Sequence, residues 1–188
     1  MPGVSRRNIY LAGFMGTGKS TVGRELARLM GRKFVDTDAE LEQRFGMTVG
    51  EMFKAQGEQA FRENERALAL QLSESSNRVI ATGGGTLLDA QVRRALRETG
   101  LVICLFTQQE QLVARLERTD KRPLLKGENI VRKVDELLQK RREVYDTISI
   151  RVDTTHLTPQ EAARKIFDLL KIRQRILDQL QSQYIVIS

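Results

Sequence analysis

The chain's 188 residues suffice to bury a substantial core without disulfides or a structural metal, and they argue against several domains. Hydrophobic residues make up 40% and charged residues 29%, and no apolar run approaches the ~18 residues of a membrane-spanning helix, so a soluble protein without a membrane partner is expected. Lys and Arg number 31 against 24 Asp and Glu, a net charge of +7, which favours anionic partners without choosing among nucleic acid, phospholipid and small phosphorylated or carboxylated metabolites.

Along the chain, short apolar runs alternate with segments of helical period. Ser5-Arg6-Arg7 before Ile9-Tyr10-Leu11 superficially resembles a twin-arginine export signal, but Gly13, Gly16, Gly18 and Lys19 interrupt the apolar stretch, and no small-residue cleavage site follows. Ile9 to Ala12 reads instead as a buried strand. Val22, Leu26, Leu29 and Met30 then fall on one helix face, and Gly31 closes that helix. Lys33 to Asp36 is a second strand; Ala39, Leu41 and Phe45 predict a helix stopping at Gly46. Thr48 with Glu51 is a capping box opening another helical stretch, and Glu58 to Leu72 is a helix with a largely solvated face.

Arg78–Ala81 and Leu101–Phe106 are predicted strands, separated by a helix over Asp89–Arg97. Cys104 lies within the second of these strands, where it reads as a core residue, and a single cysteine fits a reducing cytoplasm. A helix from about Gln108 carries Leu112, Val113 and Leu116 and must yield to a loop by Arg122-Pro123. Val131, Val134, Leu137 and Leu138 mark the next helix, and Thr147–Val152 alternates as a fifth strand. Thr158-Pro159-Gln160-Glu161 opens a last long helix, with threonine as N-cap and proline at the first position.

Strands separated by helices predict a parallel sheet with right-handed crossovers, whose ligands bind beyond the carboxyl ends of the strands. Directly after the first strand stands Gly13-Phe14-Met15-Gly16-Thr17-Gly18-Lys19-Ser20-Thr21, a match to G-x-x-x-x-G-K-[ST] running into a helix. Glycines let backbone N–H groups wrap a phosphate, and the helix N-terminus adds partial positive charge. Lys19 is placed to reach the terminal phosphates, and Ser20 to offer its hydroxyl to Mg²⁺.

Asp36-Thr37-Asp38 closes the second strand, which makes these carboxylates candidates to sit near Mg²⁺; the alternative is that Asp38 caps a helix starting at Ala39. Gly83-Gly84-Gly85 after the third strand suggests either a backbone that a ligand approaches closely or a plain turn. Arg115, Arg118, Lys121, Arg122 and Lys126 surround a proline, as in a basic flap over phosphates or an ordinary solvated loop. His156, the only histidine, has no triad pattern beside it, and Cys/His spacing for zinc is absent.

Together these residues resemble the shikimate kinases over about residues 8–170. The resemblance rests on the phosphate loop, Asp36-Thr37-Asp38, Gly57-Glu58-Gln59-Ala60-Phe61-Arg62-Glu63, the triple glycine, Arg122-Pro123-Leu124-Leu125, Lys140-Arg141 with Tyr145, and Val152-Asp153-Thr154. It implies a three-layer α/β P-loop fold, a five-stranded parallel sheet flanked by helices with a mobile lid at about 115–128 and a substrate-binding segment at about 37–65. The implied reaction transfers the γ-phosphoryl group of ATP to the 3-hydroxyl of shikimate, with Mg²⁺, in a cytoplasmic monomer that binds no nucleic acid.

The resemblance also distributes roles. Asp38 contacts the shikimate hydroxyls as the proposed base, with Lys19 and Arg122 completing the catalytic set. Asp36 holds Mg²⁺ through water, together with Ser20. Arg62 and Arg141 grip the carboxylate beside Gly83, Gly84 and Gly85. ATP is held by Gly16, Thr17, Gly18, Lys19, Ser20 and Thr21, with Arg122 on the phosphates and Arg118, Asp153 and Thr154 flanking adenine. Rival readings are a related kinase of gluconate or a nucleotide, and an NTP-gated nucleic-acid-binding protein, against which the low aromatic content of 5% leaves little stacking surface. The tail at about 171–188 extends past the usual end, with Ile172, Ile176, Leu180 and Tyr184 spaced like a helix packing on the body or on a partner.

Overall fold

The computed structural model describes residues 6–117 and 130–184. Five strands, β1 (Asn8–Ala12), β2 (Lys33–Asp36), β3 (Arg78–Ala81), β4 (Gly100–Phe106) and β5 (Ile150–Asp153), form one parallel sheet in the order β2-β3-β1-β4-β5. Alternation of side chains across β1 sends Ile9 and Leu11 to one face and Tyr10 and Ala12 to the other. The first face is covered by α1 (Lys19–Met30) and α7 (Pro159–Tyr184), through Leu26, Ala163 and Ile166. The second is covered chiefly by α3 (Val49–Ser73) and α4 (Ala90–Thr99), through Leu68, Leu72, Val92 and Leu96. Both faces of a parallel sheet are thereby buried, the condition under which such sheets are stable.

The helix-start chemistry read from the sequence is present in atomic detail. Thr48 Oγ1 accepts from the Glu51 N–H at 3.2 Å while Glu51 accepts from the Thr48 N–H at 2.7 Å. Thr158 and Glu161 repeat the arrangement at 3.2 and 2.8 Å, and Gly31 closes α1 at φ 63°. The helices expected at Thr48 and Glu58 are distinct: α3 comprises both, separated by a kink at Gly57, whose φ of 80° and ψ of 169° are non-helical. Two boundaries differ from expectation. The fifth strand starts at Ile150 rather than Thr147, because Thr147 and Ile148 donate back to Val144 and Tyr145 and finish α6 (Ile130–Asp146) as a turn. Apolar alternation there reflects a buried Ile148 in a turn, not a strand.

The second concerns α2 (Thr37–Phe45), which begins two residues earlier than expected and is capped by Asp36, whose Oδ1 accepts from the N–H groups of Asp38 and Ala39 at 3.1 and 3.4 Å. Asp38 is therefore in the first helical turn and is not the cap. The helical tail extends α7 without a break, yet Ile172 is 54% exposed and Ile176 50%, so this face does not pack on the body. Cys104 is 1% exposed, and burial pushes its thiol up to about 11, so it is a core residue rather than a nucleophile. Among the described residues no helix is long and apolar enough to cross a membrane.

One buried polar side chain locks the amino end of the sheet to α3. Asn8 Nδ2 donates to the carbonyls of Ser75 and Leu72 at 2.7 and 3.3 Å, and its Oδ1 accepts from the Arg78 N–H at 3.0 Å. Asn8→Val strands these backbone groups and is expected to cost about 2 to 4 kcal/mol, read as a lowered urea midpoint at unchanged m.

Candidate functional site

Every strand of the sheet delivers its functional loop at the carboxyl end, so segments far apart in sequence meet on one rim. The phosphate loop follows β1 and leads into α1. Gly13 sits at φ 134°, and a β-carbon there would lie 2.1 Å from the Leu105 carbonyl oxygen, so the loop turns against β4 only with glycine. Thr17 Oγ1 donates to the Phe14 carbonyl at 2.8 Å, and Lys19 Nζ donates to the carbonyls of Gly13 and Phe14, both at 2.9 Å. The lysine thus spans the concave side of the loop, at the positive end of α1.

A cavity of about 380 Å³ opens in front of this loop. Gly16, Thr17, Gly18, Lys19, Ser20 and Thr21 line it together with Arg115 and Thr154. Thr154 Oγ1 donates to the Thr17 carbonyl at 3.1 Å, and Arg115 donates to the carbonyls of Gly16 and Thr154 at 3.3 and 3.1 Å. Arg115 belongs to α5 (Gln109–Glu117), so it is a tie between the phosphate loop and the β5 loop rather than part of a flap. Asp153 instead turns its carboxylate onto the Thr155 N–H and hydroxyl, bonds that hold it below the usual carboxylate range. Arg118 and Arg122, with most of the expected lid, lie outside the described residues.

The second half of the site gathers around the triple glycine after β3. Its φ values are ordinary; what requires glycine is proximity. A β-carbon on Gly83 would stand 2.0 Å from Glu65 Oε1 and 2.9 Å from Asp38 Oδ1, one on Gly84 3.2 Å from Arg141 Nη1, and one on Gly85 2.5 Å from Arg62 Nη1. Asp38, Arg62 and Arg141, from α2, α3 and α6, therefore converge on one strip of backbone. The strip itself adjoins the phosphate loop, since the Gly84 β-carbon position is 3.4 Å from the Met15 nitrogen.

Charge in this half is largely paired within the protein. Arg62 Nη1 donates to Glu65 Oε2 at 2.8 Å and Nη2 to Glu58 Oε1 at 3.2 Å. Burial works to lower the Arg62 pKa, but the charge and hydrogen bond of Glu65, with those of Glu58, outweigh it and hold the guanidinium above its ordinary value. Glu65 is only 3% exposed, and its other oxygen accepts from the Thr86 hydroxyl at 2.7 Å. The rings of Phe53 and Phe61 lie 5.7 and 5.4 Å from the Arg62 guanidinium, and Phe14 lies 5.2 Å from that of the buried Arg141.

Sequence reasoning put Arg115 in a basic flap and took Tyr145 only as a mark of the family resemblance, and it gave Glu65 and Phe14 no site role of their own. Glu65 is masked by its place in a charge-rich helix, where a buried carboxylate looks like a solvated one. Thr37 was likewise unremarkable, yet its hydroxyl accepts from the Gly83 N–H at 2.8 Å and fastens α2 to the triple glycine. Ser20, on the first turn of α1, and Asp36, at the end of β2, supply a hydroxyl and a carboxylate oxygen, hard donors of the kind a hydrated Mg²⁺ accepts; Asp36 spends Oδ1 on its helix cap.

A parallel sheet in the order 2-3-1-4-5, with a lysine- and serine-bearing phosphate loop after its first strand and an acceptor cluster beside it, defines an ATP-dependent P-loop kinase. The family model described as shikimate kinase matches residues 15–171, and the chain belongs to the shikimate kinase family. The shikimate kinase of Thermodesulfovibrio yellowstonii is 41% identical over 160 residues, 85% of this chain and 92% of that protein. That of Geobacter sulfurreducens is 40% identical over 168 residues, 89% and 93% of the two chains. Among solved structures, the Acinetobacter baumannii shikimate kinase in complex with shikimate superimposes with a TM-score of 0.87 at 37% identity, covering 90% of this chain and 96% of that one. A gluconokinase from Sinorhizobium meliloti shares the fold alone, at a TM-score of 0.60 and 18% identity over 93% and 97% of the chains.

Tyr145, whose hydroxyl burial pushes up to about 12, donates to the Gly84 carbonyl at 2.7 Å, beside Arg141 Nη1 at 2.9 Å. Tyr145→Phe removes one hydrogen bond worth about 1 kcal/mol. The expected outcome is a KM about fivefold higher for the hydroxyl acceptor and unchanged for ATP; equal changes would mean that the phenol only supports the core.

Proposed function

We infer that the chain is a shikimate kinase in activity: it transfers the γ-phosphoryl group of ATP to the 3-hydroxyl of shikimate, giving shikimate 3-phosphate and ADP in the chorismate route to aromatic amino acids. The observation that carries this reading is the convergence of two arginines and an aspartate on the triple glycine, next to the phosphate loop. A carboxylate on the acceptor matches the planar fork of a guanidinium, and an acceptor hydroxyl matches an aspartate.

In this reading Gly16 to Thr21 wrap the β- and γ-phosphates with backbone N–H groups, and Lys19 exchanges its loop carbonyls for phosphate oxygens. Arg118, Asp153 and Thr154 flank adenine. Arg62 and Arg141 hold the acceptor carboxylate while Gly83 to Gly85 pass close under its ring. Asp38 accepts the proton of the attacking hydroxyl, and Arg122 neutralises charge on the transferring group. Ser20 directly and Asp36 through water would hold Mg²⁺, which would supply positive charge to offset that of the phosphates. Positioning and charge account for the catalysis, because a loose phosphoryl-transfer transition state needs little covalent help. The protein works as a monomer in the cytoplasm.

Coupled ADP release with shikimate, gluconate and nucleoside monophosphates offered in parallel tests the acceptor; turnover with shikimate alone is expected, and preference for another acceptor overturns the reading. Arg62→Ala and Arg141→Ala each remove a charged hydrogen bond worth about 2 to 5 kcal/mol when desolvated, so each is expected to raise KM for shikimate at least thirtyfold and leave KM for ATP within about twofold. The aspartates are expected to part by metal dependence. Asp36→Asn, which keeps a good helix cap, raises the Mg²⁺ concentration needed for half-maximal rate, whereas Asp38→Asn lowers the rate at every Mg²⁺ concentration. The reverse pattern in a Mg²⁺ titration exchanges their roles.

A further inference from the structure

The kinase site leaves two features of the chain unused: the helix beyond the family match, which ends at residue 171, and much of the excess positive charge. Both meet at the opposite rim of the sheet. There α7 runs on to Tyr184, and Leu170, Arg173, Gln174, Leu177 and Gln181 recur at the spacing of one helical face. Between that face and the amino ends of β1 and β4 lies a cavity of about 460 Å³, within the size range of small-molecule sites.

Leu101, Leu170 and Leu177 give it an apolar wall, and Arg7, Arg32 and Arg173 supply its charge; none of the described residues lining it is a carboxylate. Two of the guanidinium groups are held in place. Arg7 Nη2 donates to the carbonyls of Arg97 and Glu98 at 3.0 and 2.6 Å, where α4 ends, and Arg32 Nη1 donates to the Arg7 carbonyl at 2.8 Å. Burial lowers the Arg32 pKa from its ordinary value, so an anion brought alongside restores solvation that the fold removes. Arg173, Gln174, Leu177 and Gln181 all lie after residue 171, so this chain adds the cavity's outer wall to the fold it shares with its family.

We propose that this cavity is a second ligand site, which binds a small organic anion joining one carboxylate or phosphate group to an apolar body. Arg173 takes the anionic group in the positive field of Arg7 and Arg32, and the leucine wall takes the body. Neither part alone is sufficient, because exposed arginines hold a free ion weakly and the wall is short. The site lies at the amino ends of the strands and the kinase site at their carboxyl ends, so its occupant does not compete with ATP or shikimate.

The test uses the full chain with saturating ATP analogue and shikimate present, and the fluorescent probe 8-anilinonaphthalene-1-sulfonate, an anion on an aromatic body. One saturable site per chain is expected. 1-Naphthoate and 1-naphthyl phosphate are expected to displace the probe, and whichever does so at lower concentration identifies the anionic group; inorganic phosphate and the neutral 1-naphthalenemethanol are expected not to. Arg173→Gln and Leu177→Gln change surface positions of α7 and are expected to weaken probe binding at least tenfold, with unchanged melting temperature and kinase rate. The proposal is overturned if the probe is displaced by ATP or shikimate, if the neutral competitor matches the anions, or if both variants bind normally. Binding to phosphatidylglycerol vesicles without displacement of the probe by either naphthyl anion also overturns it, in favour of a membrane surface.

Discussion

A buried carboxylate sets the shape of the acceptor half of the site. Glu65, 3% exposed, accepts from Arg62 on one oxygen and from Thr86 on the other. A carboxylate so placed is tolerable only with its partners in position, since losing one leaves an uncompensated buried charge. Arg62 is its neighbour within α3, so it is the Thr86 hydroxyl that ties α3 to the β3 loop, close enough that Glu65 and Arg62 atoms stand where β-carbons on Gly83 and Gly85 would crowd them. Asp38 reaches the same strip because Thr37, its neighbour, is fastened to the Gly83 N–H. Arginine, aspartate and glycine positions here are consequences of one constraint.

The nucleotide half is organised by a different set of ties, mostly to backbone carbonyls. Thr154 and Arg115 hold the phosphate loop from the side of β5, while Gly13 packs it against β4. These bonds occupy carbonyls of the loop and so fix its turn. The two halves join where Arg141 lies over Phe14 and both Arg141 and Tyr145 donate to Gly84. A displacement of the phosphate loop is therefore felt at Arg141 through a single layer of side chains.

Much of the architecture was legible in the residue pattern. Five strands, the helix starts at Thr48, Asp89 and Thr158, and the stop at Gly31 follow from local chemistry, because caps and αL glycines act over three or four residues. The phosphate loop is legible for the same reason, its function lying in one contiguous turn. Misreadings fell where local pattern and tertiary contact diverge. Thr147 and Ile148 alternate like a strand but finish a helix, and Asp36 rather than Asp38 takes the cap because β2 ends one residue before the helix begins. Of the two alternatives for the tail, packing on the body or on a partner, the exposed Ile172 and Ile176 exclude the first for their face of the helix.

The sequence by itself determined the alternation of strand and helix, the phosphate-binding turn and, through resemblance, the family whose fold and reaction the chain shares. These rest on neighbours in the chain and on motifs whose meaning does not depend on distant residues. Only the tertiary structure decided that the triple glycine is a matter of close approach rather than a plain turn, that Glu65 is buried, that Arg115 ties two loops, and that α7 roofs a cationic cavity at the far rim. The physical reason is common to all four. Burial and proximity are set by the packing of elements tens of residues apart, and a glycine, a glutamate or an arginine carries no local mark of which neighbour the fold will bring to it.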